Sequence, residues 1–115
     1  MIEITVSDVL KNCDVKLLIG REDEKINECY VDSKKNTNCG CFIGIKGEKT
    51  DGSLFYKEAF DNGASICILN KIYDLDLQNY DDKTVLIAND TKKVLKQLAI
   101  YKRSLFKGVV IGVTG

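Results

Sequence analysis

The sequence contains no histidine, which removes the side chain most often used as a general base near neutral pH and the commonest zinc ligand. It has no surplus of either charge, since 17 lysines and arginines balance 17 aspartates and glutamates. Proteins that grip nucleic acid or an acidic membrane draw their affinity from a basic excess, so neither partner is expected. No apolar run approaches the roughly 20 residues needed to span a bilayer. The opening Met1-Ile2-Glu3-Ile4-Thr5 lacks the basic stretch and apolar segment of a secretion leader. The cysteines, Cys13, Cys29, Cys39, Cys41 and Cys67, are odd in number and scattered. That suits reduced thiols better than a disulfide framework, and a cytoplasmic location is expected.

What remains is enough for one domain: 115 residues, 44% of them hydrophobic. Thr5 and Asp8 form the pair of a capping box, and Ile4 and Val9 stand at the positions of a hydrophobic staple. A first helix is therefore expected, with Val9, Leu10 and Cys13 on its buried side. Residues 14–24 end in a charged run and read as an exposed connection. Strands are expected over Ile26–Val31, Cys41–Ile45, Ala64–Leu69 and Thr84–Ala88. Ser53 is placed to cap a second helix with Leu54, Phe55, Ala59 and Phe60 inward and Gly63 closing it. Asn70 to Asp82 is polar and acidic, a surface connection. Asp90 caps the longest helix, from Thr91 to about Phe106, with Val94, Leu95, Leu98, Ala99, Leu105 and Phe106 on one stripe. Val109-Val110-Ile111 is a last apolar strand. Continuous apolar strands alternating with helices indicate an α/β sheet covered on both faces.

Few residues announce chemistry of their own. Cys39-x-Cys41 is the one close cysteine pair; in a strand the two thiols share a face, but two ligands do not complete a zinc site, and no metal is expected. The carboxylates are numerous, and no pair of them is set apart by an apolar setting that would raise a pKa. Two loops directly after strands are more informative, because ligands in α/β sheets sit at the carboxyl ends of strands. The first is Val31-Asp32-Ser33-Lys34-Lys35, with an acceptor, a hydroxyl and two cations; the plain alternative is an Asx-type turn with solvated lysines. The second is Lys46-Gly47-Glu48-Lys49-Thr50-Asp51-Gly52, whose glycines permit close backbone approach to a phosphate or base. Its plain alternative is a glycine-rich entry to a helix. The chain ends Gly112-Val113-Thr114-Gly115 after a strand, the opening of a phosphate loop without the diagnostic Gly-Lys-Ser/Thr. The last helix carries Lys92, Lys93, Lys96, Lys102, Arg103 and Lys107 without an acid, which reads as a solvated face rather than a nucleic-acid platform.

In order and spacing these pieces resemble the N-terminal region of the Mur ligases, ATP-dependent enzymes of peptidoglycan synthesis. In that family a strand ends in Asp-Ser-Arg, and a Pro-Gly-Asp-Leu-Phe-Val-Ala segment leads to Lys-Gly-x-x-x-Asp-Gly. Here Asp32-Ser33-Lys34, Cys41-Phe42-Ile43-Gly44-Ile45 and Lys46-Gly47-Glu48-Lys49-Thr50-Asp51-Gly52 follow in the same register without a gap. Asn62-Gly63-Ala64 and a buried strand come next, and the closing Gly-x-Thr-Gly resembles the first half of the family's ATP loop. The likeness covers about residues 26 to 115. Lys34 replaces an arginine, which loses a bidentate fork, and Asn38-Cys39-Gly40 replaces Pro-Gly-Asp.

The resemblance implies a three-layer α/β/α fold with a small mixed, mostly parallel sheet. It implies a UDP-substrate-binding domain over 1–107, and the first strand and loop of a truncated ATP-binding domain over 108–115. The family's uridine diphosphate contacts map to Val31, Ser33, Glu48, Lys49 and Thr50, with Lys34 and Lys46 as further phosphate partners, and ATP contacts to Gly112, Thr114 and Gly115. Implied for the whole enzyme are ATP, Mg²⁺ and UDP-N-acetylmuramoyl peptide in a monomer. ATP would phosphorylate the carboxylate ending the substrate peptide, and an incoming amine would then form the amide; no catalytic residue falls in this stretch, which alone should be inactive. Within the family, Ala99-x-Tyr101-x-Arg103 looks most like MurF, which adds D-alanyl-D-alanine to the tripeptide. MurE, which adds the third amino acid, is the alternative. A non-enzymatic α/β regulatory or interaction domain is the reading from another class.

Overall fold

A computed structural model describes residues 4–72, 80 and 82–105. One short strand pairing and one central sheet organise them. β1 (Ile4–Thr5) runs into α1 (Val6–Asn12) and pairs antiparallel with β3 (Lys25–Ile26). The capping box is formed as expected: the Asp8 amide donates to Thr5 Oγ1 at 3.3 Å, and the Thr5 amide donates to Asp8 Oδ2 at 2.9 Å. Ile4 and Val9 are buried in the same apolar cluster, so the staple closes too.

The central sheet has the order β2-β7-β6-β5-β4. Its members are β2 (Lys16–Ile19), β4 (Cys29–Tyr30), β5 (Gly40–Ile43), β6 (Ala64–Leu69) and β7 (Thr84–Ile87). The pairs β4–β5, β5–β6 and β6–β7 are parallel, and β2 lies antiparallel on the outer edge of β7. This is the mixed, mostly parallel sheet expected.

Period two sorts the strand side chains onto two cores. Cys41, Ile43, Ile66, Ile68 and Leu86 meet Val6 and Val9 of α1 and Val94 and Leu98 of α3 (Thr91–Leu105). Phe42, Cys67, Leu69 and Val85 face Tyr56, Ala59 and Phe60 of α2 (Tyr56–Asp61). The sheet is covered on both sides, giving three layers. Gly63 closes α2 at φ +110°, donating its amide to the Phe60 carbonyl at 3.1 Å. A Cβ there would also collide with the Thr37 carbonyl, so glycine is required twice over.

Several expectations need correction. Residues 14–24 are not wholly a connection, because Lys16–Ile19 forms β2 with alternating exposure. The expected strand Ile26–Val31 is two elements in two sheets, β3 and β4. Ser53 does not cap the second helix. Asp51 does, its Oδ1 accepting from the Ser53 amide at 3.0 Å, and the first turn, Gly52–Phe55, is a 3₁₀ helix. The tighter winding changes the helical phase: Tyr56 turns inward, while Leu54 and Phe55 are 47% and 43% exposed. On α3 the Asp90 cap forms, with Oδ1 accepting from the Lys93 amide at 3.2 Å. Val94 and Leu98 are buried as expected, whereas Leu95 and Ala99 are exposed. Phe106, the strand at 109–111 and most of 70–82 lie outside the described residues. No helix among the described residues is long and apolar enough to cross a membrane.

Candidate functional site

Because β4, β5, β6 and β7 run parallel, their carboxyl ends share one edge of the sheet. Both sequence-predicted loops leave from that edge, the first after Tyr30 and the second after Ile43. Neighbouring parallel strands lie about 4.8 Å apart, so the two loops start side by side.

The first loop opens with an Asx turn: Asp32 Oδ1 accepts from the Lys34 amide at 2.9 Å. Val31 is 53% exposed, and Lys34 is also exposed. Ser33 is buried instead. Its hydroxyl donates to Glu58 Oε1 of α2 at 2.6 Å, and its carbonyl accepts from Asn62 Nδ2 at 2.9 Å. The chain then crosses back over α2. The Thr37 amide donates to the Asn62 carbonyl at 2.9 Å, and the Cys39 amide to the Gly63 carbonyl at 3.0 Å, which delivers it to the start of β5.

The second loop is a closed turn. Lys46 and Asp51 form an antiparallel bridge, and the Gly47 amide donates to the Thr50 carbonyl at 2.9 Å. At its base the Gly52 amide donates to the Ile45 carbonyl at 2.8 Å. Ser53 is fully buried and ties the turn to the end of β6, its Oγ accepting from the Asn70 amide at 3.0 Å. An open hollow of about 360 Å³ is lined by Lys46, Gly47, Glu48, Lys49, Thr50, Asp51 and Leu54. The structure thus gathers Lys46, Glu48, Lys49 and Thr50 around one space. Val31, Ser33 and Lys34 stand on the same sheet edge but do not contribute to the lining of this hollow. Gly112, Thr114 and Gly115 lie outside the described residues.

Sequence reasoning missed a second, smaller hollow of about 200 Å³ on the same edge, lined by Lys46, Asn70, Asn89, Asp90, Thr91 and Lys92. It joins the ends of β6 and β7 to the first turn of α3 and shares Lys46 with the second-loop hollow. A larger cavity of about 660 Å³ lies between α1, β2 and the start of α3, lined among others by Leu10, Cys13, Lys16 and Lys93. No expected site residue borders it.

Cys39 and Cys41 do not share a face. Cys39 precedes β5 in a left-handed conformation, φ 64°, and is exposed, whereas Cys41 is fully buried. No group of three or more metal-ligating side chains occurs among the described residues. The thiol relationship that does form is between Cys29 and Cys41, direct partners in β4 and β5. The Cys41 hydrogen bond to Cys29 pulls the Cys29 thiol down to about 7, with the Lys102 ammonium, 4.0 Å from its Sγ, as a further cause. The same hydrogen bond and burial push Cys41 well up.

No family model matches the sequence. Relatives do. The chain is 37% identical over 89 residues to the UDP-N-acetylmuramoyl-L-alanyl-D-glutamate–2,6-diaminopimelate ligase of Caldanaerobacter subterraneus subsp. tengcongensis, covering 76% of this chain and 17% of that protein. The ligase of the same name from Clostridium perfringens is 30% identical over 115 residues, covering 96% of this chain and 22% of its own length. By fold the chain is similar to MurF from Acinetobacter baumannii, with a TM-score of 0.71 at 21% identity over 91% of this chain and 22% of that one. MurF from Thermotoga maritima in complex with ADP gives a TM-score of 0.56 at 26% identity, over 70% of this chain and 17% of that one.

By sequence the chain is similar to ligases of the MurE type, and by fold to MurF. The two likenesses divide. The relatives by sequence carry the name of the diaminopimelate-adding ligase, and the similar folds belong to MurF. The chain spans only 17 to 22% of the length of these relatives.

Proposed function

We propose that this chain is the UDP-N-acetylmuramoyl-peptide-binding domain of an ATP-dependent peptidoglycan ligase. Its job is to hold the nucleotide end of the substrate while amide-bond formation takes place elsewhere in the whole protein. The observation that carries this reading is the second-loop hollow, where Lys46, Glu48, Lys49 and Thr50 surround one space at the carboxyl ends of parallel strands. Glycine at 47 lets the backbone approach a planar base, and the lysines offset phosphate charge. Ser33 and Val31, on the neighbouring strand end, border the uridine from the other side once the Ser33 hydroxyl exchanges Glu58 for the ligand. ATP and Mg²⁺ belong to the whole enzyme, where they supply activation of the substrate carboxylate. The described residues of this chain contribute binding and orientation.

The amino acid added is the third of the stem peptide, as the names of the sequence relatives suggest. The fold likeness to MurF favours the second reading, addition of D-alanyl-D-alanine. The complete gene product should be assayed for ADP release with UDP-N-acetylmuramoyl-dipeptide plus diaminopimelate, and with UDP-N-acetylmuramoyl-tripeptide plus D-alanyl-D-alanine. Turnover with the first pair alone is expected. Turnover with the second pair alone assigns the MurF role, and turnover with neither, in a folded protein, overturns the ligase reading.

A further inference from the structure

Cys29 and Cys41 are register partners on β4 and β5, the last two strands of the central sheet. Their chain neighbours Tyr30 and Phe42 pack together on the opposite face, 6.2 Å between ring centroids, so both thiols lie on the side that α3 covers. Cys41 is fully buried, and Cys29 is half-buried on a strand with no described strand beyond it. Lys102, near the end of α3, brings its ammonium to 4.0 Å from Cys29 Sγ. The carboxylate that opposes this cation, Glu28, is paired with Lys35 at 3.0 Å. The Cys41 hydrogen bond and the Lys102 cation hold the Cys29 thiol down to about 7, so near neutral pH about half of it is the nucleophilic thiolate. Cys13 and Cys67 are buried, and burial pushes their thiols up. Neighbouring parallel strands, about 4.8 Å apart, fall inside the roughly 4.4–6.8 Å between Cα atoms that a disulfide spans.

We propose that Cys29 is a site of reversible oxidation by peroxide, with Lys102 holding its thiolate and Cys41 as the resolving thiol. The Cys29 sulfur attacks one peroxide oxygen and the O–O bond breaks. A sulfenic acid forms, and the departing hydroxide takes up the proton that the thiol gave to solvent. Cys41, whose S–H already donates to Cys29, then attacks that sulfur, and its proton leaves with the sulfenic hydroxyl as water. Two thiols give up two electrons, and the peroxide ends as two waters. A peroxide is small enough to reach a half-buried thiol. The strands so joined are the two from which both loops of the candidate site leave, and the chemistry does not depend on what those loops bind.

The test is hydrogen peroxide treatment of the chain in a Cys39→Asn background, which replaces the exposed thiol with a residue that tolerates the left-handed conformation. Peptide mapping by mass spectrometry is expected to show one disulfide, Cys29 to Cys41, with an intact mass lower by two hydrogens and full reversal by dithiothreitol. Cys41→Ala should stop at the sulfenic acid, captured on Cys29 by dimedone, and reach it more slowly because its hydrogen bond is lost. Lys102→Met should slow oxidation about twofold or more near neutral pH, the difference closing at alkaline pH where the thiol ionises unaided. If Cys41→Ala does not fold, the disulfide map of the parent decides alone. A Cys29 that stays reduced, or that passes to the sulfinic acid without joining Cys41, would overturn the site. So would a bond that forms only after unfolding in urea. Equal rates in Lys102→Met would overturn the role given to that cation.

Discussion

Ser53 and Asn70 lock the second loop to the sheet: the Asn70 amide donates to Ser53 Oγ at 3.0 Å, and the Ser53 hydroxyl faces the Asn70 side-chain oxygen. Ser53 is fully buried and Asn70 half-buried, so water does not reach the Ser53 side of the link. Ser53→Ala should lower unfolding free energy by about 1–3 kcal/mol, the cost of stranding a buried polar partner. Urea denaturation measures this. UDP binding should weaken in parallel, since the loop that lines the hollow loses its anchor. A variant that unfolds at the parent's urea concentration would show that this link carries no load.

The Ser33 hydroxyl is held by Glu58 in the free protein. If it turns to the ligand on binding, Ser33→Ala and Glu58→Ala should part company. Ser33→Ala is expected to weaken UDP binding by about tenfold, equivalent to roughly 1.4 kcal/mol. Glu58→Ala releases the hydroxyl and should leave affinity equal or higher, at some cost in stability. Equal losses in both variants would mean that Ser33 serves α2 packing alone.

Cys29 should be the thiol that alkylates at the lowest pH. The thiolate is the nucleophile, and a folded value near 7 leaves it about half ionised where an ordinary thiol is protonated. Iodoacetamide labelling read by peptide mass spectrometry should show half-maximal modification of Cys29 near pH 7. Cys41 and Cys67, buried and pushed up, should remain unlabelled in the folded protein. Cys41→Ala removes the main stabilising hydrogen bond and Lys102→Met the nearby cation, so each should move the Cys29 profile to higher pH. A Cys29 profile unmoved by either change would contradict the assignment.

Gly63 joins the end of α2 to the returning first loop. Gly63→Ala places a side chain against the Thr37 carbonyl at φ +110°, and should destabilise by more than the roughly 1 kcal/mol that strain-free glycine replacements change. A thermal midpoint equal to the parent's would refute the crowding seen at this turn.

Much of this architecture was legible because local signals agreed with the fold. Thr5 and Asp8 form a cap from adjacent residues alone, and the apolar runs of β5, β6 and β7 have length and composition no loop would carry. Lys16-Leu17-Leu18-Ile19 was hidden because an edge strand's alternation is masked when three apolar residues stand in a row, and Leu18 remains 43% exposed. The phase of α2 was misread because nothing in Ser53-Leu54-Phe55 distinguishes a 3₁₀ turn from an α-helical one. In the site, the second loop was visible as one contiguous motif. The engagement of Ser33 was not, since its partner Glu58 lies 25 residues away. Nor was the register that sets Cys29 beside Cys41.

The central claim, that uridine sits against the turn after β5, is tested most directly by intermolecular nuclear Overhauser effects in a complex of this chain with UDP. Contacts from the uracil ring protons to Lys46, Gly47 and Lys49 are predicted, with ribose contacts toward Val31. Contacts instead to Leu10, Cys13 and Lys16, around the larger cavity beside α1, would place the nucleotide away from both strand-end loops and contradict the account.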